Sequence, residues 1–281
     1  MRAFVAGSAG QLGSALVRTL GERMVWAGGR EALDVRDADA VLRAVRAARP
    51  DVVINATAYN KVDAAETETV EALAVNAAGP GHLARAARDV GATVVHVSTD
   101  YVFDGTKGAP YEEDDAPRPL SAYGVSKLAG EMMVAASGAP FLIVRTSAVF
   151  ASGGSRGKGG SFVERILARA RAGEPLRVVD DQVLSPTYAP DLAAALVALL
   201  DAGARGLFHV TGDGATSWHG FAVAALRCAG VDAPVRAVKA KEFGAPAARP
   251  AYSVLSNRRY REMGLPAPRS WEAALAELLA R

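Results

Sequence analysis

One cysteine, Cys228, stands among 281 residues, which excludes an intramolecular disulfide and any cysteine-built metal cluster and fits a reducing compartment. An excess of charge of one sign is missing as well. With 32 Lys and Arg against 30 Asp and Glu, the formal net charge is +2, so the chain carries no electrostatic footprint for nucleic acid or an anionic membrane surface. Long hydrophobic runs are absent. No uncharged apolar span reaches the roughly 18 residues of a membrane helix, and MRAFVAGSAG has a single Arg and an apolar run too short for a signal peptide. These absences predict a soluble, cytoplasmic chain that binds a small molecule, with no nucleic acid and no membrane as partner. Nothing repeats at a fixed period, and the only low-complexity stretch, SGGSRGKGGS at 152–161, is expected to be a mobile loop.

What the chain does have is apolar content, 50% of its residues, enough for one large or two modest domains. Short apolar runs (AFVA near 3, MVWA near 24, DVVINA near 51, ATVVHVS near 92, FLIVRTS near 141) alternate with segments expected to be helical at about 11–20, 38–48, 68–89 and 122–137. This predicts an α/β fold, a Rossmann-type doubly wound parallel sheet with helices on both faces. Beyond about residue 150 the alternation weakens, with helices expected at about 161–172, 190–202, 217–229 and 270–280 and strands at RVVD near 177 and LFHV near 207. The expected division is an NAD(P)-binding domain over 1–150, with about 187–210 packing back on it, and a smaller mixed α/β substrate domain over 151–186 and 211–281.

Gly7, Gly10 and Gly13 in GSAGQLG follow the first apolar run and open the first helix together with Gln11 and Leu12, the arrangement in which backbone amides receive a pyrophosphate. The second run ends in Gly28, Gly29 and Arg30, without the acid that binds an adenosine 2′-hydroxyl. Arg30 therefore faces either a 2′-phosphate or solvent, and NADPH is the expected cofactor with NADH as the alternative. Asp34 and Val35 in LDVRD fit the edge of the adenine; capping of the helix that begins near Asp37 is the other use of these acids. In NATAYNKVDAAE, Ala56 and Ala58 let backbone lie against ribose and phosphate, and Asn55 and Tyr59 are polar candidates at the strand end. Asn76, inside AVNAAG, has to satisfy its amide through backbone or through a relay.

YGVSK spaces Tyr123 and Lys127 four residues apart. On a helix such residues share a face with Cβ atoms roughly 5–6 Å apart. A charge about 4 Å away is worth roughly 4 kcal/mol at an effective dielectric of about 20, enough to lower a phenol pKa by about 3 units. Tyr123 would then exchange a proton near neutral pH. An isolated YxxxK is more often a plain surface pair, so its neighbours matter, above all STDYVFDG at 98–105.

Together GSAGQLG, NATAY, AVNA, STDYVFDG, YGVSK, RTS, DDQVLSPTYAPDLA, ARPAYSVLS and PAPRSWEAAL resemble the extended short-chain dehydrogenase/reductases, nearest the dTDP-4-dehydrorhamnose reductase branch, over nearly the whole chain. The resemblance implies NAD(P)H-dependent reduction of a 4-keto group on a nucleotide-linked 6-deoxyhexose. By position it implies Thr99 as the hydroxyl bonded to the substrate oxygen, Tyr123 as general acid, and Lys127 as the residue that tunes it and binds the nicotinamide ribose. Ser98, Asp100 and Tyr101 are expected to line the same mouth. Thr187 in SPTY and Arg249 in ARP are expected at the sugar or diphosphate, with a helix-edge role the alternative for Arg249. Three departures stand out. Ala148 occupies a position, close to the sugar, where an aromatic, typically Trp, is usual, which leaves the sugar open; Ala15 and Pro190 match glutamates that in some members bind a dimer-bridging metal, so no metal is expected; and Ser161 replaces a usual Asn.

Two other readings share these features. A nucleotide-sugar epimerase or dehydratase uses the same loop and Tyr/Lys pair, but such dehydratases tend to carry Glu after the Thr-Asp pair, where this chain has Tyr101. The non-catalytic regulatory subunit of methionine adenosyltransferase also resembles this family; intact Thr99, Tyr123 and Lys127 argue against that role. The expected assembly is a monomer or homodimer. His82, His96, His209 and His219 lack metal-ligand spacing and read as core or surface residues, Trp218 and Trp271 as helix-start packing, and EEDDA at 112–116 as a solvated loop.

Overall fold

The computed structural model describes residues 1–153 and 160–280, so residues 154–159 of the expected mobile loop lie outside the described residues. Six parallel strands, β1 (Ala3–Ala6), β2 (Met24–Gly28), β3 (Val52–Asn55), β4 (Thr93–Thr99), β5 (Phe141–Thr146) and β6 (Gly206–His209), form one sheet in the order β6-β5-β4-β3-β1-β2. β1 and β3 are buried along their whole length, because helices cover both faces. On one face lie α1 (Gln11–Leu20) and, from late in the chain, α7 (Ala189–Asp201), burying Leu16, Leu192 and Leu196 against the sheet. On the other lie α2 (Ala38–Ala48), α4 (Gly79–Asp89) and α5 (Ala122–Ala135), with Val41, Val45, Leu83 and Val134. A separate core forms around Phe150, Phe221 and Trp271, between α6 (Phe162–Arg171), α8 (Trp218–Cys228) and the last helix, Trp271–Leu279.

Side chains set where helices begin. Asp37 caps α2 by accepting from the Ala40 amide at 2.9 Å, and Ser121 caps α5 by accepting from the Gly124 amide at 3.2 Å. Ser161 forms a capping box with Glu164 at the start of α6, which gives that departure a local role.

Three expectations need correction. The single helix over 68–89 is instead α3 (Thr69–Leu73), a π turn over Ala74–Ala78, and α4; alanine on every face leaves no periodicity to betray the inserted residue. The strand Val235–Val238, paired in parallel with Leu176–Val179, was not expected, because Arg236 and exposed Ala237 interrupt its apolar pattern. The acidic run is not uniformly solvated. Glu113 is buried and accepts from the His209 amide of β6 at 2.9 Å, while Glu112 and Asp114 pair with Arg258 and Arg259. Among the described residues no helix is long and apolar enough to cross a membrane.

Candidate active site

The chain leaves β1 and β3 in opposite directions across the sheet, which opens a crevice at their carboxyl ends. Gly7 stands there at φ +88°, and a Cβ on it would lie 2.7 Å from the Ala56 carbonyl carbon. A Cβ on Gly13 would lie 2.0 Å from the Gly7 oxygen, whereas at Gly10 the nearest atom is 3.5 Å away. Glycine is thus required at two of the three positions by packing of the loop itself. α1 begins at Gly10 with no side-chain cap and no acid in its first turn, so its leading amides are left for an anionic ligand, a donor set that fits a dinucleotide pyrophosphate. The Gln11 side-chain oxygen is buried without a partner. The Leu12 side chain packs in the core and leaves only its backbone for a ligand.

At the β2 end, Arg30 is 70% exposed and only loosely held, 4.0 Å from Asp34 and 3.7 Å from Glu71. Arg36 pairs directly with both acids. Its hydrogen bond holds the Asp34 carboxyl down at about 2, against the opposing effect of burial. Val35 is buried, and its carbonyl lies 2.9 Å from His82 Nδ1. Asn55 is turned inward, accepting from the Thr57 amide and hydroxyl at 3.0 and 2.6 Å and facing His96 Nδ1 at 3.1 Å. Ala56 is half-buried and Ala58 exposed, on the loop that Gly7 meets. Tyr59 donates its hydroxyl to Glu68 at 2.6 Å. Asn76 bonds the Tyr59 amide and carbonyl at 2.8 and 2.9 Å and donates to Ser126 Oγ of α5 at 3.0 Å.

β4 delivers Thr99 to its carboxyl end, and α5 presents Tyr123 one turn before Lys127. The Thr99 hydroxyl acts to lower the pKa of the Tyr123 phenol. The expected depression of its pKa by Lys127 is overturned, since burial pushes the phenol up to about 12. Lys127 is buried and donates to the Val97 carbonyl at 2.7 Å; burial draws it down to about 8, with Glu131 acting in the opposite sense. Spacing on a helix face conveys proximity but not the loss of water around both groups.

The expected mouth residues separate into two sets. Tyr101 stands edge-on to Tyr123 with ring centroids 5.8 Å apart. Arg249 lies on no helix; it grips Asp63 at 2.9 and 2.8 Å and joins the wall of a cavity of about 630 Å³ with Arg165, Arg169, Arg177, Phe162 and Trp218. Ala148, half-buried, has φ +41°. Ser98, Asp100 and Thr187 are buried. The Ser98 hydroxyl is buried without a partner, Asp100 accepts from other hydroxyls, and the Thr187 hydroxyl is tied to the Ser185 carbonyl and the Gly212 amide at 3.1 and 3.3 Å.

The sequence reading missed a buried ion pair beneath the site. Glu131 of α5 accepts from Arg145 of β5 at 2.9 and 2.7 Å. The available signal was an Arg inside an apolar strand and a Glu four residues after Lys127. Ser147, Ser253 and Asp63 were missed too, being common residues without a distinguishing pattern.

The family profile of the RmlD substrate binding domain matches residues 1–281. A dTDP-4-dehydrorhamnose reductase of Mycobacterium tuberculosis is 44% identical over 293 residues, covering 99% of this chain and 92% of that protein. Among solved structures, a dTDP-4-dehydrorhamnose reductase of Clostridium acetobutylicum superposes with TM-score 0.94 at 37% identity, covering 100% of this chain and 99% of the other. One from Bacillus anthracis, in complex with NADP, superposes with TM-score 0.94 at 36% identity, covering 99% and 98%.

Proposed function

This chain belongs to the RmlD substrate binding domain family, and from that premise we propose that it is an NADPH-dependent reductase of a dTDP-linked 4-keto-6-deoxyhexose, with dTDP-4-dehydrorhamnose as leading substrate. The observation that carries the reading is the placing of Thr99 at the end of β4 beside Tyr123 and Lys127 of α5, with Lys127 donating to the Val97 carbonyl of β4 at 2.7 Å. When bound, NADPH supplies the hydride. Tyr123 gives its proton to the keto oxygen, and its high pKa keeps it in the acid form that reduction needs. Lys127, one turn along α5 from Tyr123 and fixed at the Val97 carbonyl, remains charged at neutral pH. The arginine-rich cavity suits a diphosphate, with Phe162 and Trp218 offering ring faces to a base.

The test is NADPH oxidation with a panel of freshly generated 4-keto sugar nucleotides. Turnover is expected with dTDP-4-dehydrorhamnose; NADPH binding without turnover on any member would mark a binding protein, and conversion without net oxidation an epimerase or dehydratase. The same reading divides the chain into a cofactor domain over 1–150, joined by about 187–210, and a substrate domain over 151–186 and 211–281. It places the protein in the cytoplasm as a monomer or homodimer.

Two results are expected at the edges of the site. NADPH binds more tightly than NADH by about 10-fold or more, since a charge-assisted contact contributes roughly 1.5–3 kcal/mol and loosely held Arg30 is free to make it. Fluorescence titration checks this; equal constants, or no change in Arg30→Ala, would refute it. Of the three aromatics that could fill the space beside Ala148, Phe103 is stacked on Tyr111, Phe150 packs on Tyr188 and Phe221, and Tyr101 stands edge-on to Tyr123. Ala148→Trp should therefore raise kcat/KM for dTDP-4-dehydrorhamnose, by restoring an aromatic wall of roughly 150–250 Å². Unchanged kinetics would mean that position 148 does not face the sugar.

A further inference from the structure

His96 stands in the middle of an apolar strand, β4, fully buried, and so does the Asn55 side chain beside it at the end of β3. Buried polar groups need partners, and here the partners fix one another. The Thr57 amide donates to Asn55 Oδ1 at 3.0 Å, and the Thr57 hydroxyl donates to the same oxygen at 2.6 Å. A backbone N–H can only donate, so the Asn55 oxygen has to face Thr57 and its NH2 group has to face His96 Nδ1, 3.1 Å away. The NH2 group in turn has only protons to offer. His96 Nδ1 is therefore the acceptor, with its lone pair bare, and the ring is neutral with its proton on Nε2. Burial and the Lys127 charge both disfavour the charged ring, in agreement with this geometry.

We infer that His96 is a positioning residue for the cofactor crevice: its bare Nδ1 holds the Asn55 side chain in the one orientation that pins the Ala56–Thr57 segment beside the glycine turn. That segment has little slack. A Cβ on Gly7 would lie 2.7 Å from the Ala56 carbonyl carbon and 2.8 Å from the Thr57 nitrogen, and the Ala56 amide donates to the Ala6 carbonyl of β1 at 2.9 Å. Turning the Asn55 amide over would set donor against donor at Thr57 and release one wall of the crevice. The inference rests on reading the crevice beside Gly7 as the NADPH site.

Nitrogen NMR of the parent protein with isotope-labelled histidine reads the tautomer, the His96 signals being those lost in His96→Asn. A proton on Nε2 and none on Nδ1 is expected at neutral pH; a proton on Nδ1 would overturn the inference. Fluorescence titration with NADPH reads the consequence. His96→Leu, which fills the space without an acceptor, should weaken NADPH binding by about 10-fold, the order expected when a buried donor loses its partner, with the kinetic loss in KM for NADPH rather than in kcat. His96→Asn, whose side-chain oxygen can stand where Nδ1 stood, should bind NADPH within about 2-fold of the parent. A residue that merely fills the core predicts the reverse order, since Leu fills the space better than Asn. Leu binding as well as the parent, or better than Asn, would therefore overturn the inference. Because His96 acts through Asn55, adding His96→Leu to Asn55→Leu should cost nothing more; a further loss of about 10-fold would overturn it as well. Circular dichroism verifies folding, and if His96→Leu fails it, His96→Phe takes its place. A parent protein that does not bind NADPH would instead dismiss the cofactor site itself, whichever nitrogen carries the proton, which separates the two failures.

Discussion

Tyr123→Phe should bind NADPH as tightly as the parent protein and turn over at least about 100-fold more slowly, the scale of a missing general acid. The phenyl ring preserves the edge-on contact with Tyr101 and the packing of α5, so what disappears is the transferable proton. Among the described residues neither Thr99 nor Lys127 is placed to replace it. Thr99 has given its own proton to Asp100, and Lys127 is directed at the Val97 carbonyl. Steady-state kinetics beside a cofactor titration separates the two effects; turnover close to that of the parent would remove Tyr123 from the mechanism.

Glu131→Gln should be the most damaging single change to stability, costing about 3–5 kcal/mol, because removing one partner leaves a buried charge uncompensated. The pair is 6% and 3% exposed, and Arg145 Nη1 already has no partner. The guanidinium does lie over the Phe103 ring, 5.1 Å from its centroid, but a ring face replaces only part of a lost carboxylate. Urea unfolding reads the cost as a lower midpoint with an unchanged slope. Replacing both partners, Glu131→Leu with Arg145→Met, should be milder than Glu131→Gln alone, since no bare charge is left behind. Should the single variant be as stable as the parent, the pair would be hydrated in solution and not a buried pair at all. A consequence for chemistry accompanies the one for stability. Glu131 raises the Lys127 pKa while burial lowers it and His96 beside it stays neutral, so the folded Glu131→Gln protein should lose activity at lower pH than the parent.

Much of the fold was legible because its signals are local. Apolar runs of four to seven residues that become strands, and caps such as Asp37 and Ser121, act within a turn or two of chain. The π turn escaped because its five residues are Ala, Val, Asn, Ala and Ala, with nothing to mark a change of pitch. Its effect is a matter of partners far away: Asn76 reaches Tyr59 and Ser126, and its carbonyl lies where a Cβ on Gly130 would have to be. The site divides along the same line. The glycines and the Tyr123/Lys127 spacing were visible, whereas the burial of Ser98 and Asp100, expected at the mouth, and of Thr187, expected at the sugar or diphosphate, was not.

By itself the sequence determined the order of elements, the glycine loop at a strand-to-helix turn, and the placing of a phenol and an amine on one face of a helix. Each follows from backbone geometry over a few residues, which composition and spacing specify directly. Only the tertiary structure decided the sense of the Tyr123 shift, because desolvation depends on everything packed around the ring. Only it joined Arg249 to Asp63 across 186 residues, and Ser253 to Asp100 across 153. Those contacts arise where segments distant in the chain return to one another, which no local pattern of residues records.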